Sequence, residues 1–367
     1  MERDLRIVIL GLTITSSWGN GHATTYRGLV RGLSRRGHRV LFLERDKPWY
    51  ADNRDLAEPP YGEMALYDQL DALTSKWAPA IASADLVIVG SYVPEGIEVG
   101  RIVQSLARGV TAFYDIDTPV TLAALETGSC DYLAVDVLRR YDLYLSFTGG
   151  PTLLELERRW GARAARPLYC SADPDLYQPA PDVPTQWDLG YLGTYSTDRQ
   201  PVLETLLCAP ARAWAGGRFV VAGPLYPPEV EWPGSVERIE HLPPAEHRDF
   251  YAAQRFTLNV TRADMVRRGH SPSVRLFEAA CCGTPIISDW WEGLDELFTP
   301  GTEILIARET ADVLTIIRSM PEANRLAIGA AGRARVLAAH TGDHRAAELE
   351  AHTVQALQKQ ETRRLLA

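Results

Sequence analysis

The sequence lacks a long hydrophobic run, a cysteine framework and an excess of basic charge. Every apolar stretch is broken within a few positions by Asp, Arg or Gly, whereas a helix that spans a bilayer needs about 20 apolar residues. The five cysteines are odd in number and include no C-x-x-C pair, which predicts reduced core thiols. The net charge of −9 argues against broad electrostatic binding to nucleic acid.

The amino terminus also lacks the features of a secretory signal. MERDLRIVILGL places an acid and a base before a short apolar stretch that ends in a Gly-containing loop, without a small-residue cleavage site. We therefore expect a first β-strand here, and a cytoplasmic protein with no membrane anchor. The 367 residues, 46% hydrophobic and 23% charged, have the composition of a soluble globular protein of about two domains.

Short apolar runs alternate with longer amphipathic segments, a pattern that predicts parallel sheets with helices on both faces. The predicted strands are 6–10, 39–43, 86–89, 110–114, 143–147 and 167–170, followed by 189–192, 219–222, 256–260, 285–287 and 303–306. Four prolines within 173–185 predict a linker between the two sets. The expected fold class is therefore α/β, with two Rossmann-like domains and a cleft between them.

Ligands of such sheets bind at the carboxyl ends of the strands, and one loop of this kind leads into GHSPSVRLFEAACCGTPIISD. Ser271 and Ser273 lie where a helix should begin, with Pro272 in its first turn, and a helix start suits a phosphate. Arg275 adds a planar fork of donors, and Glu278, about one turn later, can accept hydrogen bonds from a ribose diol. The alternative is an ordinary amphipathic helix with Arg275 and Glu278 as a surface ion pair.

The loop after the first strand, GLTITSSWGNGHATTYRGL, is a second candidate site. Gly19 and Gly21 allow close approach of a ligand to the backbone, and His22 would enter the predicted cleft at a helix start. A dinucleotide fingerprint would need a third small residue where Thr24 stands, although Glu44 is placed like a ribose-binding acid. An NAD-dependent oxidoreductase therefore stays an alternative, as does a half-exposed His22 without a function.

YDIDTP places Asp115 and Asp117 between a predicted strand and a helix start. Either acid could cap the helix, and a D-x-D pair also resembles carboxylate sites that hold a divalent cation with substrate phosphates. The pair lies far along the sequence from the phosphate-like loop, so we expect no metal site.

Several segments together resemble a known family. The matching pieces are SWGNGHATTYRGLVRGLSRRGHRV, FYDIDTP, LYCSADPDLYQP, DLGYLGTYSTDRQ and RGHSPSVRLFEAACCGTPIISDWWEGLDELFTPGTEIL. They resemble GT-B fold glycosyltransferases over most of the chain, and within these the CgeB-like (spore maturation protein CgeB) group, which is related to family 4. The resemblance implies an acceptor domain at 1–175, a donor domain at 176–342 and a C-terminal helix within 343–367 that packs back on the first domain.

The resemblance also implies a reaction. It is the transfer of a hexose-type sugar from a nucleoside diphosphate, with a UDP-sugar favoured, to a small-molecule or glycan acceptor, without metal or other cofactor. In such a site Glu278 would bind the ribose, and the base would lie along His241 and Leu242. The other residues expected to bind the donor are Gly21, Arg199, His270, Ser271, Ser273 and Arg275.

Two positions affect the expected mechanism. Retaining family 4 members carry a glutamate at the place of His270, eight positions before Glu278, and histidine cannot supply the same negative charge. His22 resembles the base of inverting sugar transferases, in which an imidazole of near-neutral pKa deprotonates the acceptor, and Asp117 would orient it or contact the acceptor. The stereochemical outcome stays open, and a sugar-nucleotide epimerase of the same fold is the alternative function.

Overall fold

The computed structural model describes residues 4–18 and 21–366; Gly19, one of the two glycines expected to approach a ligand, lies outside the described residues. The chain forms two compact units, one of Met1–Cys170 with Gly342–Ala367 and the other of Ser171–Thr341. The proline-rich stretch 173–185 belongs to the second unit, where it precedes the first strand and contains no helix or strand.

The first unit is built on a seven-stranded parallel sheet with the order β3-β2-β1-β4-β5-β6-β7. Its strands are β1 (Arg6–Gly11), β2 (Arg39–Arg45), β3 (Glu63–Tyr67), β4 (Leu86–Gly90), β5 (Val110–Asp115), β6 (Leu143–Ser146) and β7 (Ala165–Pro167). In the register, Leu10 pairs with Leu43 of β2 on one side and with Val89 of β4 on the other. The central strands are buried along nearly their whole length because helices cover both faces of the sheet.

Eight helices precede the second unit among the described residues. They are α1 (His22–Arg35), α2 (Pro48–Ala51), α3 (Asp71–Thr74), α4 (Ala78–Ser83), α5 (Gly96–Leu106), α6 (Thr118–Thr127), α7 (Val135–Leu138) and α8 (Pro151–Glu155). A π-helical segment, Leu156–Trp160, continues α8. The longest of these, α1, begins at His22, directly after the loop that follows β1.

The second unit repeats the plan with a six-stranded parallel sheet of order β10-β9-β8-β11-β12-β13. Its strands are β8 (Trp187–Leu192), β9 (Phe219–Ala222), β10 (Val236–Ile239), β11 (Gln254–Asn259), β12 (Ile286–Ser288) and β13 (Leu305–Ile306). Its helices are α9 (Gln200–Leu203), α10 (Ala209–Ala213), α11 (Pro244–Ala252), α12 (Ala263–Arg268), α13 (Val274–Cys281), α14 (Leu294–Leu297), α15 (Thr310–Ser319) and α16 (Glu322–Ala339), with a π-helical segment, Glu204–Cys208, between α9 and α10.

The last helix, α17 (Gly342–Leu366), belongs to the first unit and packs along α1. Two glycines make the close approach possible, since a Cβ on Gly32 would lie 2.5 Å from the Gly342 carbonyl oxygen. The Arg36–Glu350 ion pair, at 2.6 Å, joins the same two helices. Neither α17 nor any other helix in the part of the chain that the structure describes is long and apolar enough to cross a membrane.

The structure differs from the predicted strands at three places. β3 and β10, both edge strands, were not predicted. Glu237 and Arg238 interrupt the apolar pattern of β10, whereas β3 contains a short apolar run, 64–67, that was not recognised as a strand. The strand predicted at 167–170 is wrong: β7 ends at Pro167. The residues that follow are largely buried, which explains their apolar character without strand pairing.

Both strand orders create a switch point, where neighbouring strands send their connections to opposite sides and leave room for a ligand. In the first sheet it lies between β1 and β4, and the adjoining loops are 12–21 and 91–95. In the second sheet it lies between β8 and β11, with the loop 193–199 and the segment 260–273, which includes α12. His22, Arg199 and His270 lie at or next to these segments, as do Ser271 and Ser273, whereas Asp117 follows β5 and both His241 and Leu242 follow the edge strand β10.

Candidate functional site

A buried arginine lies across the switch point of the second sheet. Arg275, in the first turn of α13, is 7% exposed. Its Nε donates to the Leu192 carbonyl at the end of β8, and its Nη1 donates to Asn259 Oδ1 at the end of β11 at 3.0 Å. The guanidinium carbon is 4.7 Å from the centre of the Tyr191 ring. A fixed positive charge therefore lies at the edge of the sheet where ligands bind.

The Asn259 amide holds this arrangement together. Its Oδ1 also accepts a hydrogen bond of 2.8 Å from Ser273 Oγ. Its Nδ2 donates to Ser288 Oγ at 2.9 Å and to Thr261 Oγ1 at 3.2 Å. Because both ends of the amide have partners, its orientation is fixed, and with it the positions of Ser273 and Arg275.

The start of α13 differs in detail from the prediction. Pro272 lies before the cap residue Ser273, whose backbone is extended, and not in the first turn. Ser273 makes no capping hydrogen bond with its side chain because its hydroxyl bonds to Asn259. The alternative of a surface ion pair is wrong, since Arg275 and Glu278 are both buried and have different partners.

Two further arginines lie near Arg275. Arg199 donates to a carbonyl of its own loop at 2.6 Å, and Arg238 donates to a carbonyl just after β9 at 3.0 Å. Arg238 also lies 4.3 Å from the centre of the Tyr226 ring. Burial and the neighbouring Tyr191 raise the pKa of Tyr226, and the positive charges of Arg238, Arg199 and Arg275 act against this rise. Three guanidinium groups thus create a positive potential around one phenol.

Glu278 lies one turn beyond Arg275 and has different neighbours, a histidine and two tyrosines. It is 3% exposed, and its Oε2 is 3.9 Å from His247 Nδ1. The other ring nitrogen of His247 is 3.2 Å from the Leu242 carbonyl. Burial, followed by the negative charge of Glu278, raises the pKa of Tyr177 and Tyr251. The structure therefore joins two predicted donor residues, Glu278 and Leu242, through His247.

His270 occupies a third position, and its conformation is constrained. Its backbone is left-handed, with φ of 46°, which is uncommon outside glycine. Its backbone N–H donates to the Glu292 carbonyl at 2.6 Å, and its Nδ1 is 3.2 Å from Glu296 Oε2. A Cβ on Gly293 would lie 2.3 Å from that same Nδ1, so only glycine leaves room for the ring. The neighbouring Ser271 is buried, whereas His241 is exposed.

In the first unit, His22 and Asp117 are linked by a tyrosine. His22 is 7% exposed, so the half-exposed alternative is wrong. The Tyr92 ring packs edge-on against the His22 ring at 5.5 Å, and the Tyr92 hydroxyl donates to Asp117 Oδ2 at 3.2 Å. Tyr92 has a left-handed backbone, with φ of 61°, and Gly21 is the cap residue before α1.

Burial lowers the pKa of the His22 imidazole to about 4. This differs from the near-neutral value expected from the sequence, because desolvation disfavours the charged imidazolium. The ring is therefore neutral over the whole physiological pH range.

The paired acids after β5 have separate structural roles. Asp115 is buried, and it accepts hydrogen bonds from Thr121 Oγ1 at 2.8 Å, from the Asp117 backbone N–H at 3.2 Å and from the Tyr144 hydroxyl. Burial raises the pKa of Asp115 to about 6, and these hydrogen bonds oppose the rise. Asp117 occupies the cap position of α6, but its side chain makes no capping bond. Among the described residues no group of three His, Cys, Asp or Glu side chains could hold a metal.

The position of Glu44 does not fit an acid that binds a ribose. Its buried carboxylate accepts hydrogen bonds from the Ile14 and Thr15 backbone N–H groups at 2.7 and 3.1 Å. It also accepts from the hydroxyls of Thr13 at 3.1 Å and Thr15 at 2.6 Å. The acid therefore orders the loop after β1, and the NAD alternative is not favoured.

Sequence reasoning missed four residues of these sites: Asn259, Arg238, His247 and Tyr92. Asn259 had a signal, since it is a polar residue near the carboxyl end of a predicted strand, and Tyr92 follows the predicted strand 86–89, at an edge where ligands bind. Arg238 belongs to the edge strand that was not predicted, and His247 lies within α11, where the sequence contains no pattern that indicates its contact.

Comparisons with known proteins agree with this fold. Residues 199–351 match a family model described as glycosyl transferase-like. Sucrose-phosphate synthase from Thermosynechococcus elongatus has a similar structure, with a TM-score of 0.66 and 16% identity over 96% of this chain and 99% of that chain. HepE from Anabaena, solved with UDP and glucose, gives a TM-score of 0.71 and 14% identity over 96% of this chain and 100% of that chain.

The chain has the GT-B fold, and its residues 199–351 match a glycosyl transferase-like family. A search of curated proteins finds no match. The glycosyltransferase family model begins at Arg199 and includes Arg275 and Glu278, so its match covers the principal groups of the second-unit site.

Measurement of the His22 pKa by NMR tests the geometry of the first-unit site. With labelled histidine, the His22 signal should titrate near pH 4, whereas an unperturbed histidine titrates at about 6.5. The His22→Asn variant identifies the signal by its loss. Since the folded pKa is the lower one, His22 should remain neutral as the pH falls from 6.5 towards 4. Titration at about 6.5 would show that the ring is solvated and not buried.

Proposed function

We propose that this protein is a glycosyltransferase that moves a sugar from a nucleoside diphosphate sugar, with a UDP-sugar favoured, to a hydroxyl or similar group of a small-molecule or glycan acceptor. One observation carries the proposal: α13 holds a buried guanidinium, Arg275, at the switch point and a buried carboxylate, Glu278, about one turn further on. A diphosphate and a ribose diol require these two groups in this order. The complexes of HepE with UDP and with UDP-glucose favour uridine as the nucleoside.

The leaving diphosphate gains negative charge as the bond to the sugar breaks. Fixed positive groups stabilise this charge with less reorganisation than water requires. Arg275, Arg199 and Arg238 all act on Tyr226, so their charges add at one place. We propose that these groups replace a divalent cation and that the transfer needs no metal or other cofactor.

The residues around Glu278 and those at the start of α13 are assigned the remaining contacts with the donor. Glu278 accepts hydrogen bonds from the ribose, and the base lies along His241 and Leu242. His247 links the Leu242 carbonyl to Glu278. Ser271 and Ser273 lie before the first turn of α13 and face the phosphates in this proposal. His270 contacts a phosphate or a sugar hydroxyl; because it brings no carboxylate, retention of configuration is not part of the proposal.

We assign the acceptor chemistry to the first unit. The His22 imidazole is neutral and so able to take a proton from the acceptor hydroxyl, although burial makes it a weak base in the empty site. The charge of Asp117, one hydrogen bond away from Tyr92, favours the imidazolium that forms. Gly21, at the start of α1, would allow close approach of the donor. Membership of the CgeB-like group and a cytoplasmic location belong to the same proposal.

A donor screen tests the nucleotide assignment. UDP-, GDP-, ADP- and dTDP-sugars are compared by thermal stabilisation and by hydrolysis, with and without divalent metal. UDP-sugars should stabilise the protein most, and a chelator should not reduce the effect. Arg275→Gln should weaken UDP binding by about ten- to a hundredfold, since a charge-assisted hydrogen bond contributes about 1.5–3 kcal/mol. Arg308→Gln, which removes an exposed arginine of the same unit, is the matched control.

A second variant, Glu278→Gln, tests the same site if Arg275→Gln fails to fold. Glu278→Gln should weaken UDP binding but change the affinity for 2′-deoxy-UDP much less, because the carboxylate is assigned to the ribose diol. The donor assignment fails if no nucleotide sugar stabilises the protein, or if Arg275→Gln binds UDP as well as Arg308→Gln does. Conversion of the donor sugar to an epimer without any acceptor would instead support the epimerase.

Turnover measurements test the role of His22. With the best donor of the screen and water or an accepted alcohol as acceptor, His22→Gln should lower kcat by about 10²- to 10⁴-fold, as is typical for loss of a general base. Asp117→Asn should cause a smaller loss of kcat. Both variants should keep the donor affinity of the native protein, since neither residue is assigned to the donor. Unchanged kcat in His22→Gln would refute the assignment of the base.

A further inference from the structure

An arginine-rich groove lies on the edge of the first sheet opposite to the His22 loop. The amino ends of β5 and β6 form its floor, because Gly109, Thr111 and Asp142 line it. In a parallel sheet this edge is the one away from the loops that bind the substrate. The groove has a volume of about 680 Å³, and its cationic lining residues are Arg101, Arg108, Arg140, Arg163 and Arg364.

The acid in the floor does not neutralise this charge. Asp142 accepts hydrogen bonds of 3.0 Å from the Thr111 backbone N–H and from Gln360 Nε2, and one of 3.1 Å from Arg163 Nη1. The Thr111 hydroxyl also donates to it at 3.2 Å, so the carboxylate has four donors but only one cationic partner among the five arginines. The protein as a whole has a net charge of −9, whereas this groove is locally positive.

Two of the five arginines have guanidinium groups without a partner among the described residues. Arg108 and Arg140 are exposed, and neither guanidinium makes a hydrogen bond or an ion pair with any residue that the structure describes. Arg101, by contrast, pairs with Glu98 at 2.6 Å. Like charges around one groove repel each other, so the unpaired guanidinium groups favour an anion between them.

The end of α17 forms one wall of the groove. Arg364 Nη2 donates to the Arg108 carbonyl at 3.0 Å, and Gln360 Nε2 donates to the Gly109 carbonyl at 3.4 Å. A second groove of about 490 Å³ adjoins the same segment and shares Arg108 and Arg364 with the first, but Asp85 and Glu361 also line it. A ligand in the first groove would tie the C-terminal helix to the sheet.

We propose that this groove, lined by Arg101, Arg108, Arg140, Arg163 and Arg364, binds a ligand that carries phosphate groups. The planar fork of arginine matches phosphate oxygens, and the volume is within the range of small-molecule sites. The same chemistry is found in a soluble polyphosphorylated molecule and in the headgroup of an anionic phospholipid. The inference does not depend on which donor or acceptor the enzyme uses.

The test uses the full-length protein with saturating UDP to occupy the donor site. Inorganic tripolyphosphate is titrated by calorimetry, and co-sedimentation is measured with vesicles of phosphatidylcholine alone or with phosphatidylglycerol. The groove variant is Arg108→Gln with Arg140→Gln, which should fold normally because neither guanidinium has a partner in the described structure. The matched control, Arg308→Gln with Arg318→Gln, removes the same charge from exposed positions of the second unit.

Native protein and control should bind tripolyphosphate or the anionic vesicles. The groove variant should bind with an affinity at least about tenfold lower, as expected for lost charge-assisted hydrogen bonds. Binding should also slow hydrogen exchange in residues 355–364. Binding of tripolyphosphate alone would indicate a soluble ligand, and binding of vesicles alone a lipid headgroup. The proposal is overturned if neither probe binds or if groove variant and control bind equally. Failure of UDP to bind would affect the proposed function only.

Discussion

The donor-site architecture depends on the buried guanidinium of Arg275. A buried charge is costly unless hydrogen bonds satisfy it, and here the partners are the Leu192 carbonyl and the Asn259 amide, at the ends of neighbouring strands. The need to satisfy this group fixes the direction of α13 and hence the place of Glu278. It also explains Gly193, since a Cβ there would lie 2.7 Å from Arg275 Nη2.

The two units use one plan for different chemistry. Each sheet has a switch point at its carboxyl edge, but the polar groups there differ in charge. The second unit brings together three arginines, which suits a leaving diphosphate. The first unit buries a neutral imidazole, His22, beside Tyr92 and Asp117, which suits the handling of a proton. The left-handed backbone of Tyr92 costs of order 1 kcal/mol or more. This conformation places the Tyr92 hydroxyl within hydrogen-bond distance of Asp117.

The sequence was sufficient to predict two parallel-sheet domains, because strands that are buried on both faces have continuous apolar runs. It also indicated Arg275 and Glu278 through their spacing on one helix. It did not reveal the edge strands β3 and β10, and in β10 two charged residues interrupt that pattern. Nor could it show that Arg275 bonds to β8, since Leu192 is far away along the chain, or that Glu44 orders the loop after β1. Such partners depend on tertiary packing, which local patterns do not encode.

The most direct test of the central claim is a crystal structure of the protein with UDP bound. The diphosphate oxygens should lie within hydrogen-bond distance of the loop 193–199 and of the start of α13, and the ribose hydroxyls should bond to Glu278. A diphosphate bound instead at the loop after β1, or a ribose far from Glu278, would contradict the proposed donor site.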